Sequence, residues 1–376
     1  MDPRSRRLGL LVAVAVLVLV DLAIRRFDVF SPLVADTVPA TLFAAVNAQV
    51  TDVVRALRAP ARDGFTVVLL GNSQMDLGSR PLPMLRDALV AAGAPPDTRI
   101  VPLFVYASTI TDAEVIARSL APLHPAVVVL GVSAPDLATA PENARRTPVL
   151  RILETGSTDG ALPAVDLEER LDRWVRSVWQ LYRYRALFSD LLFPVSGKRS
   201  PRGFSDEPHS EEEVFVEFSG PERGREIAAL RPGFESGDDY GAAARYVDAL
   251  QGPGYLRGLR ERWRTASPEA VQLAALRGFA RRVREAGARP VVVLMPENPL
   301  LERDPDVGRV VRARSDAAAD ALESEAAAVG IAVVDLRRGF PTRAFLDMNH
   351  LFFQHGGMAP RLASELAARG LLAARS

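Results

Sequence analysis

The sequence predicts an α/β fold in which helices cover both faces of a parallel β-sheet. The main observation is a series of short apolar runs, typical of strands buried on both faces. Segments with helical periodicity separate these runs, which favours parallel strands joined by helical crossovers. A glycine directly follows two of the runs, at Gly71 and Gly131, as expected where a strand meets a tight turn. The runs cover residues 66–70, 100–105, 126–130, 290–295 and 331–335.

The segments between the strands carry helix start and stop signals. Thr111 and Glu114 form a capping-box pattern that opens a helix running to Leu120. Ser267 and Pro268 mark another helix start. The predicted helices cover residues 82–92, 111–120, 267–287, 315–329 and 358–370.

Residues 150–265 interrupt this alternation and are predicted to be an insertion in the α/β domain. We expect this insertion to cover the functional site of that domain. Residues 166–193 have the apolar periodicity of one long amphipathic helix. Its segment WQLYRYRALF mixes aromatic residues with arginines. This composition predicts that the aromatic rings pack into the core and that the aliphatic parts of the arginine side chains lie along the core surface. Residues 196–213 are polar and charged, which predicts a mobile loop.

The N-terminus contains an apolar run from Leu8 to Ile24, interrupted at Asp21. Its length of about 17 residues is near the lower limit for a bilayer span. Arginines flank it on both sides, and their slight excess before it predicts a single-pass anchor in the inner membrane with a periplasmic domain. A cleaved signal peptide is the alternative. The expected organisation is an anchor at 1–26, a stalk and first helix at 27–62, and the α/β domain at 63–376.

The composition excludes several classes of function. Lys+Arg and Asp+Glu both number 46, so no basic excess favours nucleic-acid binding. Cys is 0, which excludes disulfides and a thiol nucleophile. His350 and His355 do not form the zinc-binding HExxH pattern, and no glycine-rich nucleotide motif follows a strand. We therefore expect neither a metal nor a cofactor.

The tripeptide Gly71-Asn72-Ser73 ends the first predicted strand. A turn from a strand into a helix can project a serine hydroxyl toward a base, while nearby backbone amides stabilise an oxyanion. The alternative is an ordinary helix cap, a role that Asn and Ser commonly have at this position.

A second motif, Asp347-Met348-Asn349-His350, lies between the last predicted strand and the last helix. An aspartate three residues before a histidine can fold back to orient the imidazole, which then serves as a general base. The alternative is a capping Asp beside an incidental His.

Taken together, VVLLGNSQM (67–75) and FLDMNHLFFQHGG (345–357) resemble the SGNH, or GDSL-like, hydrolase superfamily. The resemblance covers roughly 65–145 and 265–376. It implies a flavodoxin-like three-layer α/β/α sandwich with Ser73 as nucleophile, His350 as base and Asp347 as its orienting partner. Asn72 stands where the family has Asp.

The same resemblance implies oxyanion donors after the second and third strands, where this sequence departs from the family. The backbone N–H of Ala107 or Ser108 must replace that of the family's glycine, and Ser133 stands in place of its asparagine. Asn72 is a further candidate at this site. Asn298, after the fourth strand, is a candidate substrate contact, with a plain turn as the alternative. Asp136 is interpreted as a structural cap.

The anchored layout also resembles the DltD-like and AlgJ-like groups, which handle acyl groups on cell-envelope polymers beside membrane-bound O-acyltransferases. The resemblance implies an extracytoplasmic serine esterase or O-acyltransferase acting on acylated envelope polysaccharides or lipids, with a membrane-bound O-acyltransferase as partner. A non-catalytic accessory protein of the same fold is one alternative. An unrelated flavodoxin-like sensor domain is another, and it would leave Asp347 and His350 far from Ser73.

Overall fold

A computed structural model of the chain describes residues 3–26, 42–58, 63–144, 147–153, 167–184, 215, 221–352 and 357–373. It contains a five-stranded, all-parallel sheet in the order β2-β1-β3-β4-β5. The predicted α/β class with a parallel sheet is confirmed, and each predicted strand is present within two residues of its expected ends. The strands are β1 (Thr66–Gly71), β2 (Arg99–Phe104), β3 (Val127–Val132), β4 (Arg289–Leu294) and β5 (Ala332–Asp335).

The sheet is the centre of the hydrophobic core. Every residue of β1 and β3 is buried, which explains why these strands are continuous apolar runs without polar alternation. β1 pairs with β2 on one side and β3 on the other, so the strand that precedes Ser73 is an interior strand.

Helices connect and cover the strands. They are α1 (Pro3–Arg26), α2 (Leu42–Arg58), α3 (Ser73–Ser79), α4 (Leu82–Ala91), α5 (Ile110–Ala117), α6 (Ala134–Leu137), α7 (Pro141–Ala144), α8 (Pro148–Leu153), α9 (Leu167–Val178), α10 (Gln180–Arg183), α11 (Pro221–Ser236), α12 (Tyr240–Gln251), α13 (Tyr255–Thr265), α14 (Ala270–Glu285), α15 (Gly308–Val329) and α16 (Ala359–Ala368). Short 3₁₀ turns occur at Ala121–Leu123, Pro299–Arg303 and Thr342–Ala344.

The helices that flank the sheet form two groups. α4 packs against α16, and α14 packs against both α5 and α15. This arrangement is compatible with a three-layer sandwich.

Several helix starts differ from the prediction because other caps form. The capping box of α5 pairs Thr109 with Asp112, whose carboxylate accepts from the Thr109 backbone N–H at 2.7 Å. α14 begins after Glu269, whose N–H donates to the carbonyl of Leu137 at 2.8 Å. Pro268 therefore lies before the helix. α15 begins at Gly308, seven residues earlier than its Ala/Glu-rich sequence suggested.

The prediction of one long helix over 166–193 is wrong. The helix breaks at Trp179, whose φ of −123° and ψ of 104° are extended, so α9 and α10 are separate. Residues 185–193 lie outside the described chain. Core packing is observed for Tyr184, which is buried, but Trp179 is 41% exposed. The apolar side of α9 is also exposed, at Leu167, Leu171, Trp174 and Val178.

α1 contacts the α10 turn near its own C-terminal end. The carboxylate of Asp21 accepts a hydrogen bond from the backbone N–H of Leu181 at 2.9 Å. Within the described ranges, no helix combines the length and the apolar character needed to cross a membrane. Most of the expected stalk (27–41 and 59–62) and the predicted loop at 196–213 lie outside the described residues.

The later part of the insertion, residues 221–265, forms α11, α12 and α13. Arg231 on α11 is 3% exposed, and its guanidinium donates to the carbonyls of Arg343 at 3.1 Å and Phe345 at 2.6 Å. Tyr246 on α12 donates its hydroxyl hydrogen to the carbonyl of Leu346 at 2.7 Å. The insertion therefore holds the chain segment that follows β5.

Candidate functional site

Ser73 is the first residue of α3, directly beyond the carboxyl end of β1. Gly71 has a φ of +152°, and a Cβ at this position would lie 2.6 Å from the Cβ of Met75. Asn72 caps the helix by accepting from the N–H of Gln74 at 3.0 Å. The turn leaves the partly exposed Ser73 hydroxyl at the sheet edge.

Asp347 and His350 lie on a tight loop after β5. An isolated antiparallel bridge joins Phe345 to Leu351, and the N–H of Leu346 donates to the carbonyl of His350 at 2.7 Å. Inside the loop, Asp347 Oδ1 accepts from the backbone N–H of Asn349 at 2.7 Å and of His350 at 2.9 Å. The carboxylate is thus turned back toward the imidazole.

The fold brings Ser73, His350 and Asp347 together across 277 residues of sequence. Ser73 Oγ lies 2.9 Å from His350 Nε2, and His350 Nδ1 lies 2.9 Å from Asp347 Oδ2. Nε2 can accept the serine proton only when the ring proton sits on Nδ1, which is the tautomer that Asp347 favours. The sensor-domain alternative, which expected these residues to be far apart, does not fit this contact.

The hydrogen bonds and the charge around Asp347 favour its ionised form. Burial raises its pKa, but the charge of His350, the hydrogen bond from its side chain, and the backbone N–H groups of Asn349 and His350 lower it more. The pKa of Asp347 therefore lies below the ordinary value. An ionised carboxylate here can orient the imidazole and stabilise its protonated form.

Two amide side chains fix the loop against the sheet. Gln74, next to Ser73, donates from Nε2 to the backbone carbonyl and side-chain oxygen of Asn349, both at 2.9 Å. Asn298 donates from Nδ2 to the carbonyl of Asp347 at 3.0 Å and accepts from the N–H of Leu300. Asn298 is 1% exposed, so it lies beneath Asp347 and not where we expected a substrate contact.

The loop after β2 offers one free backbone donor. The N–H of Ser108 is engaged with the carbonyl of Val105 at 3.0 Å. The N–H of Ala107 has no acceptor among the described residues, and Ala107 has a left-handed φ of 57°. Of the two expected backbone donors, Ala107 is therefore the one that remains available.

The side chains expected to donate after β1 and β3 are engaged elsewhere. Ser133 Oγ donates to Asp136 Oδ2 at 2.7 Å, and Asn72 Nδ2 donates to Asp136 Oδ1 at 3.1 Å. Asp136 forms the capping box of α6, as interpreted from the sequence. Burial raises the pKa of Asp136, and its hydrogen bonds with Ser133 and Asn72 oppose that rise. The Ser133 hydroxyl is therefore not free for a substrate oxyanion in this arrangement, and Asn72 has only the second of its two amide hydrogens left for one.

Glu297 follows β4 by three residues and directly precedes Asn298. Its Oε1 accepts from Ser315 Oγ at 2.6 Å, and its Oε2 lies 3.1 Å from Nη1 of Arg338. Burial raises the pKa of Glu297 to about 7, although Ser315, Arg338 and Arg337 act in the opposite direction. Among the described side chains, no group of three or more His, Asp and Glu is placed to hold a metal.

Sequence patterns did not indicate that Gln251, Gln74 and Arg231 contact the loop that carries Asp347 and His350. Gln251 Nε2 donates to Asp347 Oδ2 at 2.6 Å from the end of α12, 96 residues earlier in the chain. The Gly-Pro-Gly turn that follows it (252–254) was the one local signal, and it indicates a chain reversal without indicating a contact.

No protein-family model matches the chain, and a search of curated proteins finds no match.

We expect Gly71→Ala to be more destabilising than a glycine substitution without a steric clash. Gly93→Ala is the matched control, because Gly93 also has a positive φ, +106°, but a Cβ there meets nothing within 4 Å. Both changes impose backbone strain, and the contact with Met75 adds about 1–3 kcal/mol at Gly71. Urea unfolding of both variants measures the difference, and equal losses would contradict the steric explanation.

Glu297→Gln should remove a pH dependence of stability. The folded-state pKa of about 7 exceeds the ordinary 4.5, so the folded protein favours the protonated acid and loses stability as pH rises from 4.5 through 7. The free energy of unfolding of the variant, relative to that of wild type, should therefore rise by about 1–3 kcal/mol between about pH 5 and about pH 8. Urea unfolding at both pH values measures it. Glu285→Gln, at a side chain 51% exposed, is the control and should follow wild type. Parallel curves for Glu297→Gln and wild type would refute the prediction.

Proposed function

We propose that this chain is an SGNH-type serine esterase or O-acyltransferase that acts on acyl esters of cell-envelope glycans or lipids. The observation that carries the proposal is the continuous chain of contacts from Ser73 Oγ through the His350 ring to Asp347, with 2.9 Å at each step. The strand order β2-β1-β3-β4-β5 supports the flavodoxin-like version of the sandwich, which has this order.

We assign each group a proposed role from these contacts. His350 Nε2 takes the proton from Ser73 as Oγ attacks the ester carbonyl, and Asp347 stabilises the imidazolium that forms. His350 then returns the proton to the leaving alkoxide, and an acyl-enzyme remains on Ser73. Water resolves the acyl-enzyme in an esterase, and a sugar or polyol hydroxyl resolves it in a transferase. In both cases His350 removes the proton from the incoming hydroxyl and returns it to Ser73 Oγ as the acyl–Oγ bond breaks, which restores the free serine.

Backbone groups are the proposed oxyanion donors. The N–H of Ser73 begins α3, and the N–H of Ala107 follows β2 with no acceptor among the described residues. A missing third donor typically lowers the rate about a hundredfold or more. We therefore propose a slow hydrolase, or one that is fast only with its own acceptor bound.

One observation favours a second function. The hydroxyl of Ser133 and one amide hydrogen of Asn72 both bind Asp136, so most of the side-chain part of an oxyanion hole is engaged in internal contacts. A non-catalytic accessory of a membrane-bound O-acyltransferase would tolerate this. Covalent labelling of Ser73 with an active-site probe separates the two functions.

A fluorophosphonate probe should label wild type at Ser73, because the probe reacts with serines activated by a base. Ser73→Ala should abolish the label, and His350→Ala should slow labelling on the order of a thousandfold or more. Labelling is read by gel fluorescence and peptide mass. The control is Ser119→Ala at an exposed serine outside the site, which should label like wild type. Absence of label on wild type, under conditions that label an ordinary serine esterase, would favour the accessory function.

The proposed location is the inner membrane, with the α/β domain in the periplasm. Within the described residues, α1 falls short of the combined length and apolar character of a membrane-crossing helix. Support for the proposal comes from the arginine-flanked apolar run and from the exposed apolar side chains of α1, among them Leu11 at 67% and Leu19 at 65%. We expect the chain in the membrane fraction after an alkaline wash. Replacing Val14 and Leu17 by arginine should release it, because each buried charge costs about 2.5–3.5 kcal/mol for insertion. Recovery of intact wild type in the soluble fraction would contradict this location.

A further inference from the structure

Gln251 joins the helical insertion to the carboxylate of Asp347. It is the last residue of α12, and its Nε2 lies 2.6 Å from Asp347 Oδ2. The helix ends there because Gly252, with a φ of +92°, reverses the chain. The contact therefore depends on where α12 stops.

The two oxygens of Asp347 have different kinds of partner. Oδ1 accepts from backbone N–H groups of its own loop, at Asn349 and His350. The closest hydrogen bonds to Oδ2 within the described chain come from two side chains, His350 Nδ1 at 2.9 Å and Gln251 Nε2 at 2.6 Å. Oδ2 is also nearer than Oδ1 to Nδ1, by 2.9 Å against 3.1 Å. Gln251 thus bonds to the oxygen that faces the imidazole.

The surroundings of Asp347 make this donor significant. Asp347 is completely buried, and a buried carboxylate without enough donors is strongly destabilised. Tyr255, at the start of α13, places a buried hydroxyl beside the same carboxylate. Burial raises its pKa well above 10, and the negative charge of Asp347 and a hydrogen bond with it raise that pKa further. Tyr255 is therefore neutral beside Asp347, and Gln251 is the donor of the insertion that lies at a short, direct hydrogen-bond distance of 2.6 Å.

We infer that Gln251 is a positioning residue, which acts through Asp347 to hold His350 in line with Ser73. The helical insertion is then a working part of the site. This inference rests on the proposed function for its catalytic meaning, while the hydrogen bond itself can be tested without turnover.

The test is proton NMR of the full chain with ¹⁵N-labelled histidine, in wild type, Gln251→Leu and Gln251→Glu. Leu keeps the approximate size and removes the donor, and Glu keeps the shape and replaces the donor with a second acid. The control is Arg245→Leu, an exposed position on the same helix. The Nδ1–H resonance of His350 is assigned by its loss in His350→Gln.

In wild type we expect a slowly exchanging, low-field Nδ1–H resonance of His350, as the bond to Asp347 requires. Both Gln251 variants should shift this resonance to higher field or lose it, and Arg245→Leu should leave it in place. With an ester substrate, Gln251→Leu should lower kcat about 10- to 100-fold with KM nearly unchanged, the typical effect of one hydrogen bond to a charged group. A purely structural contact would lower the melting temperature without moving the resonance.

The outcomes separate this inference from the proposed function. An unmoved resonance in both Gln251 variants, or no such resonance in wild type, overturns the positioning role, even if wild type is labelled at Ser73. If the resonance moves in the Gln251 variants while wild type shows neither labelling nor turnover, the positioning role is supported and the proposed function is overturned.

Discussion

Asp347 is a carboxylate without access to water, and its need for hydrogen-bond donors joins separate parts of the chain. Two donors are backbone groups of its own loop, one is the ring of His350, and one is Gln251 from the insertion. A buried charge that loses a partner costs several kcal/mol. The loop conformation, the ring orientation and the docking of the insertion are therefore coupled energetically. Arg231 strengthens the coupling, since it donates to the backbone carbonyl of Phe345 in the same loop.

The sheet and the insertion have different roles in this arrangement. The carboxyl ends of parallel strands meet at one edge, so β1, β2 and β4 bring Ser73, Ala107 and Asn298 to the same side. β1 lies between two paired strands and is fully buried, which gives the turn at Ser73 a rigid base. β5 leads only to the start of a longer loop, which by itself does not fix His350. The insertion, Gln74 and Asn298 supply the missing contacts.

The features that could be predicted were those with a local physical cause. Buried parallel strands are continuous apolar runs, so all five were found, and Ser73, Asp347 and His350 lie in short motifs whose spacing has chemical meaning. Helix starts were less predictable because several capping residues compete within a few positions, as at Thr109. Gln251 and Gln74 were not found, since their partners are 96 and 275 residues away and glutamine has no distinctive pattern.

Carboxylates need hydrogen-bond donors, and this need has opposite effects at two places in the site. At Asp347 it brings the parts of the candidate triad together, whereas at Asp136 it engages side chains that could otherwise bind an oxyanion. Asp136 is partly buried, and it binds the hydroxyl of Ser133 and one amide hydrogen of Asn72, the two side chains that could otherwise face an oxyanion. The proposed chemistry then depends on the backbone N–H groups of Ser73 and Ala107. Backbone donors are fixed by the path of the chain, so they persist when side chains at neighbouring positions change. The φ of 57° at Ala107 costs about 1 kcal/mol or more for a residue with a Cβ. Such strain is tolerated where the surrounding structure determines the backbone. At Ala107 it leaves an N–H that has no acceptor within the described part of the chain, in the loop after β2, the strand paired with β1.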